Sequence, residues 1–129
     1  MKSFLDPLLR KSAPPLVLTN SRTNQVVAST LVPAFDSASR RRGLLKHNCL
    51  PEGSALVIAP TNAIHTFFMR FAIDVAFVSR DGRVLKVRAA MPAWRLAAAW
   101  RAFAVVELPP GALERAGVQR GDVLRVETR

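Results

Sequence analysis

Asp74 is the residue whose setting most invites chemistry. It lies inside Phe71-Ala72-Ile73-Asp74-Val75-Ala76-Phe77, an apolar run in which a carboxylate is costly unless paired or hydrogen-bonded. Two readings follow. As a pocket acid with a shifted pKa, Asp74 would serve catalysis. As a structural group it would accept backbone N–H bonds or pair with an arginine such as Arg42. His65 precedes the same block, and His65 with Asp74 in a cleft would be the acid–base pair of a small hydrolase or lyase. Cys49 with His65 is the nucleophile–base alternative, but geometry defines such a site and the spacing demands none. Asp74 and Glu107 form a glycosidase pair only in the sense that any two acids do. His47, Cys49, His65 and Asp74 lack the paired Cys and His spacings of structural zinc. The phosphate-cradling glycine loops are also missing. No metal and no cofactor is expected.

Charge offers a second kind of chemistry. Lys and Arg number 19 against 9 Asp and Glu, a net charge of +10. Between Gly82 and Val106 stand Arg83, Lys86, Arg88, Arg95 and Arg101 with no acid, and Trp94 and Trp100 are interleaved with them. Arg40-Arg41-Arg42 with Lys46 is a second basic group. Exposed aromatics among cations stack bases and neutralise phosphates, or sit at an anionic lipid interface. The plainer reading is a solvated basic rim with both tryptophans packed as core, since Trp is mostly buried. Nucleic acid is a possible partner, but no zinc-finger, RNP or basic-region pattern supports it. The 15 Arg against 4 Lys suit bidentate anion recognition. A G·C-rich codon bias explains them as well, since the chain also has 19 Ala.

The elements that must position these residues are short. A length of 129 residues gives one domain, with residues 1–13 as an N-terminal tail and 14–129 as the folded unit. Half the residues are hydrophobic, which excludes disorder. The lone Cys49 excludes a disulfide scaffold and fits a reducing compartment. Asp6, Pro7 and Arg10-Lys11 interrupt any secretory leader. No run reaches the ~18 apolar residues of a membrane span. The expected localisation is cytoplasmic. Strands are expected at Leu16–Thr19, Gln25–Leu31, Ala55–Ala59, on either side of Arg70-Phe71 within Ile64–Val78, at Arg83–Arg88, in Arg101–Leu108 and at Val123–Glu127. Asp81-Gly82 is a hairpin turn. Alternation puts Leu85 and Val87 in the core, with Val84, Lys86 and Arg88 outward. Asp36 or Ser37 starts a short helix to about Leu45. Ala97-Ala98-Ala99 favours helix within the ambiguous stretch 91–100, and Ala112–Ala116 is a helical turn stopped by Gly117. The sum is a mainly β, compact, mostly antiparallel barrel or sandwich of about seven or eight short strands with one or two short helices.

Three ordered blocks add a resemblance. His65-Thr66-Phe67-Phe68-Met69-Arg70-Phe71-Ala72-Ile73-Asp74-Val75-Ala76-Phe77-Val78 with Asp81-Gly82-Arg83-Val84 resembles the core motif of the bacterial and archaeal family called domain of unknown function 192. Arg42-Gly43-Leu44-Leu45 looks like its Arg-Gly-Leu-Met element, and Glu107-Leu108-Pro109-Pro110-Gly111 through Gly121-Asp122 like its C-terminal block. Phe68, Arg70-Phe71 and Ala72 depart from the commonest pattern. The resemblance implies a small β fold, no established reaction, and an association with pilus-assembly or secretion genes. The reading that follows is a non-enzymatic accessory or binding domain. It would present a polar cluster (Arg42, Asp74, Glu107) and a basic face with Trp94 and Arg95 to another protein or an anionic ligand. A hydrolase or lyase using His65 and Asp74 is the alternative, and nucleic-acid binding through residues 83–101 the third.

Overall fold

The computed structural model describes residues 3–9, 15–35, 50–67 and 69–128. Among these run ten strands: β1 (Leu16–Asn20), β2 (Gln25–Ala28), β3 (Thr30–Ala34), β4 (Ser54–Ile58), β5 (Ala63–His65), β6 (Ile73–Val78), β7 (Val84–Met91), β8 (Leu96–Ala98), β9 (Ala104–Leu108) and β10 (Leu124–Thr128). A 3-10 turn at Asp6–Leu9 and one short helix, α1 (Ala112–Arg115), complete them. The strands form a five-stranded sheet in the order β3-β4-β9-β6-β7, a three-stranded sheet β10-β1-β2 and a two-stranded ribbon β5-β8. Pairing is antiparallel except between β3 and β4.

Burial explains why β4, β6 and β9 read as nearly unbroken apolar runs. All three are buried along their whole length, as expected of strands covered on both faces. Successive side chains point to opposite faces. Ala55, Val57, Ala76, Val78, Ala104, Val106 and Leu108 pack with Leu18, Val27, Leu124 and the α1 residues Ala112 and Leu113. Leu56, Ile58, Val75, Phe77 and Val105 pack on the other face with Ile64, Met69 and Ala97 from the β5–β8 side. The fold is therefore an antiparallel-rich sandwich rather than a closed barrel.

Several expectations need correction. The strands number ten because the expected strand Gln25–Leu31 breaks at Ser29, where the chain leaves the three-stranded sheet for the edge of the five-stranded one. The Ala97-Ala98-Ala99 stretch contributes strand β8, not helix. Ala97 is buried while Leu96 and Ala98 are exposed, so tertiary pairing with β5 overrides alanine's helix propensity. Val84, outward by alternation alone, is buried, because Val78 pairs with Val84 while Phe77 pairs with Lys86. That register shift is a bulge, and it reverses the alternation on either side. Residues 3–9 of the expected tail are tied down: Leu5 is buried in the first core and the Phe4 N–H donates to Arg80 O at 2.9 Å. The expected helix from Asp36 to Leu45, with Arg40, Arg41, Arg42, and also Lys46, His47 and Cys49, lies outside the described residues.

Two turns depend on glycine. Gly82 has φ +93°, and a Cβ there would stand 2.4 Å from Leu124 O, where the β6–β7 hairpin meets β10. Gly117 (φ +62°) closes α1, with its N–H donating to Glu114 O at 3.0 Å and Val118 N–H to Leu113 O at 2.9 Å, as the αL stop predicts. Asp122 ties this corner to the β1–β2 turn. It accepts from Arg22 Nε at 2.7 Å, Asn20 Nδ2 at 2.9 Å and Gln119 N–H at 3.0 Å. Those bonds, led by Arg22, hold its carboxyl down at about 2.

Candidate functional site

Asp74 is 1 % exposed, at the end of β6 against α1. Its Oδ1 accepts the Ala90 N–H at 2.8 Å, and its Oδ2 accepts Gly111 N–H at 3.0 Å and Leu113 N–H at 3.1 Å. The first-turn N–H groups of a helix have no partner within it, and the residue at the N-cap here is Gly111, which has no side chain to supply one. Asp74 supplies it from another element. Both carboxylate oxygens thus accept main-chain N–H bonds, the structural reading of this residue; Arg42 lies outside the described residues.

Glu107 is 2 % exposed, next to the last residue of β9, paired between Leu56 and Val75. Among the described residues its Oε2 has no hydrogen-bond partner, and burial pushes its carboxyl up to about 8. Asp74 and Glu107 do not meet. Asp74 pairs across strands with Leu108, Glu107 with Val75. Leu108 belongs to the first core and Val75 to the second, so the two acids point to opposite faces of the five-stranded sheet. That arrangement offers neither a glycosidase pair nor a shared polar cluster.

His65 lies elsewhere, exposed on β5, where its ring stacks on Phe67 with centroids 4.8 Å apart. Phe67 in turn stacks on Trp94 at 5.8 Å. The β5–β8 register explains this row. Ala63 pairs with Ala98, Ile64 with Ala97 and His65 with Leu96. Ile64 and Ala97 point into the second core, so Ala63, His65, Leu96 and Ala98 point outward, and Phe67 and Trp94 extend the same face. The exposures are large: 56 % for Trp94, 68 % for Leu96 and 78 % for Trp100. The tryptophans are therefore not core, contrary to the plainer reading. Their places in the core are taken by Ile64, Met69 and Ala97.

The row is held from beneath by Thr66, which is fully buried. The Thr66 hydroxyl donates to Pro92 O at 2.7 Å and accepts from Arg95 N–H at 2.8 Å. Its N–H donates to Arg95 O at 2.8 Å, and its carbonyl accepts from Trp94 N–H at 2.9 Å. Trp94 is thereby fixed with φ +62°, a left-handed conformation rare for a bulky residue. Such strain persists only where surrounding bonds over-determine it, and it concentrates at functional positions. At the other end of the ribbon, Asn62 Nδ2 donates to Trp100 O at 3.2 Å, and the Arg101 guanidinium lies 5.0 Å from the Trp100 ring centre. Lys86 Nζ donates to Ala98 O at 3.0 Å, joining β7 to the ribbon.

Sequence reasoning singled out His65, Trp94, Arg95 and Trp100 in separate roles and missed Phe67, Leu96 and Thr66. The available signal was the alternation Ala63-Ile64-His65 set against Leu96-Ala97-Ala98, each with one inward residue between outward neighbours. Among the described residues no three His, Cys, Asp or Glu side chains form a group able to hold a metal ion. No helix among them is long and apolar enough to cross a membrane.

The comparisons with known proteins agree with this frame. Residues 17–126 match the family model of domain of unknown function 192, described as "Uncharacterized ACR". The chain belongs to that family. No curated protein matches it. A crystal structure from Sinorhizobium meliloti 1021, provisionally named a transcription regulator, superposes with TM-score 0.74 at 17 % identity, over 86 % of this chain and 91 % of that one. A protein of unknown function from Novosphingobium aromaticivorans DSM 12444 superposes with TM-score 0.70 at 22 % identity, over 89 % of this chain and 88 % of that one. At these identities the likeness is one of fold.

Proposed function

We propose that this family member is a non-enzymatic binding module that meets an anionic partner with the outward face of its β5–β8 ribbon. The observation that carries the reading is the exposed row His65, Phe67, Trp94 and Leu96, braced by buried Thr66 and bordered by Arg95 and Arg101. Exposed apolar side chains scattered singly are ordinary, whereas contiguous ones mark an interaction site. Seven large hydrophobic residues are exposed among the described residues, and four of them, Phe67, Trp94, Leu96 and Trp100, lie on or beside this ribbon. The charge around them has one sign. Residues 53–73 and 82–106, which supply the ribbon and its neighbours, contain Arg70, Arg83, Lys86, Arg88, Arg95 and Arg101 and no Asp or Glu that is exposed.

The enzymatic alternative needs a free Asp74 near His65. Asp74 instead has three main-chain donors on its two oxygens, and His65 stacks on Phe67 at the surface. None of these residues speaks for the association with pilus or secretion systems. The test is a thermal-shift panel with polyanions of different chemistry at low and high salt. A ligand at ~100 times its Kd stabilises by about 2.7 kcal/mol, which is readily seen. The reading expects a shift that shrinks with salt. A panel with no shift at either salt overturns it.

A further inference from the structure

We infer that the anionic partner is a phospholipid surface, with Leu96, Trp94 and Trp100 entering the interfacial region of a bilayer. The inference rests on the anionic-partner reading and names the partner. The first ground is the kind of side chain exposed. Leu96, 68 % exposed, is aliphatic and has no ring to stack on a base. The Phe67 ring already stacks with both His65 and Trp94, at 4.8 and 5.8 Å. A ring with two such partners gives a nucleobase little open face. The same row presents apolar edges to a hydrocarbon boundary without rearrangement. Tryptophan, apolar in body with one polar N–H, is suited to the zone between headgroups and acyl chains.

The second ground is shape. Ala63 and Ala98 face outward between the Leu96 and Trp100 ends, so the middle of the ribbon is low and apolar. Trp94 precedes β8 and Trp100 follows it, both exposed, so an aromatic anchor flanks the strand at each end. The third ground is charge. Arg70, Arg95 and Arg101 are exposed beside the apolar row, and the two segments that build it carry no exposed acid. Anionic headgroups attract such juxtamembrane cations, and apolar insertion with basic residues at its border is the interfacial mode of binding.

The two tryptophans of the chain report on this directly. The full chain would be mixed with phosphatidylcholine vesicles, with phosphatidylcholine–phosphatidylglycerol vesicles, and separately with single-stranded oligothymidylate. The expected result is co-sedimentation with the phosphatidylglycerol vesicles, a blue shift of tryptophan emission, and quenching by lipids brominated on the acyl chain. L96S/W100S, which changes only exposed side chains, should keep the melting temperature and lose at least tenfold in vesicle binding. Arg95→Gln and Arg101→Gln should each weaken it roughly fivefold. Vesicle binding without a blue shift, or binding unchanged in L96S/W100S, overturns insertion. Oligothymidylate binding without vesicle binding overturns the lipid partner and leaves the anionic-partner reading standing. Binding to neither overturns both.

Discussion

Glu107→Gln should remove a large loss of stability that rising pH brings to this protein. The wild-type carboxyl is buried on β9, its Oε2 has no partner among the described residues, and burial raises it from 4.5 to about 8. The folded state therefore binds this proton more tightly than the unfolded chain does. Stability from this source is fully present below about 4.5 and is lost as pH rises through about 8. Over that window each pH unit removes up to about 1.4 kcal/mol, and the whole rise corresponds to about 5 kcal/mol. A domain of ordinary stability has only about 5–15 kcal/mol in all, so the effect is large. Glutamine is neutral at every pH and nearly isosteric, but its amide has to be desolvated, at about 1–3 kcal/mol. The variant should be less stable than wild type at pH 5 and more stable at pH 8.5. Urea unfolding curves at half-unit steps between those limits measure the crossing. Parallel profiles for the two proteins would refute the reasoning, since Glu107 would then titrate alike folded and unfolded.

Asp122 should shape the acid side. Its carboxyl is held at about 2, first by Arg22, so the stability it contributes is present above its ordinary 3.8 and fades as pH falls through 2. Asp122→Asn should flatten that limb in acid unfolding followed by circular dichroism. Asp74→Ala strips partners from three main-chain N–H groups and should cost about 3 kcal/mol or more in urea unfolding, since each buried donor left unsatisfied costs about 1–3 kcal/mol. Gly82→Ala forces a Cβ to within 2.4 Å of Leu124 O at φ +93° and should lower stability by about 2 kcal/mol or more, read as a fall in Tm. Thr66→Val removes the hydroxyl that bonds Pro92 and Arg95. It should speed amide exchange at Trp94 and Arg95 while leaving β9 protected.

Much of the fold was legible because its strands carry local signatures. The runs at Ala55–Ile58, Ile73–Val78 and Ala104–Leu108 were apolar enough to be buried strands, and Asp81-Gly82 and Gly117 marked their turns by conformational need. What escaped depended on contacts distant in sequence. The bulge that buries Val84 arises from pairing with Val78, and no periodicity within β7 announces it. Ala97-Ala98-Ala99 has helical propensity, and only its partnership with β5 makes a strand of it. The site divides in the same way. Asp74 was conspicuous as a carboxylate in an apolar run, and its structural role was among the readings, but its donors sit 16 to 39 residues away. The exposure of Trp94 and Trp100 ran against residue-type expectation, because smaller side chains from the same segments fill the core.

Swapping charge on and off the ribbon tests the central claim most directly. R95E/R101E and R120E/R125E change net charge equally, the first pair beside the aromatic row and the second at exposed positions around the β10 turn. Affinity of each for an anionic surface, compared at one salt concentration, should fall at least tenfold more for R95E/R101E than for R120E/R125E. Equal losses from the two variants would mean that binding follows the overall charge of +10 and that the β5–β8 face is not the site.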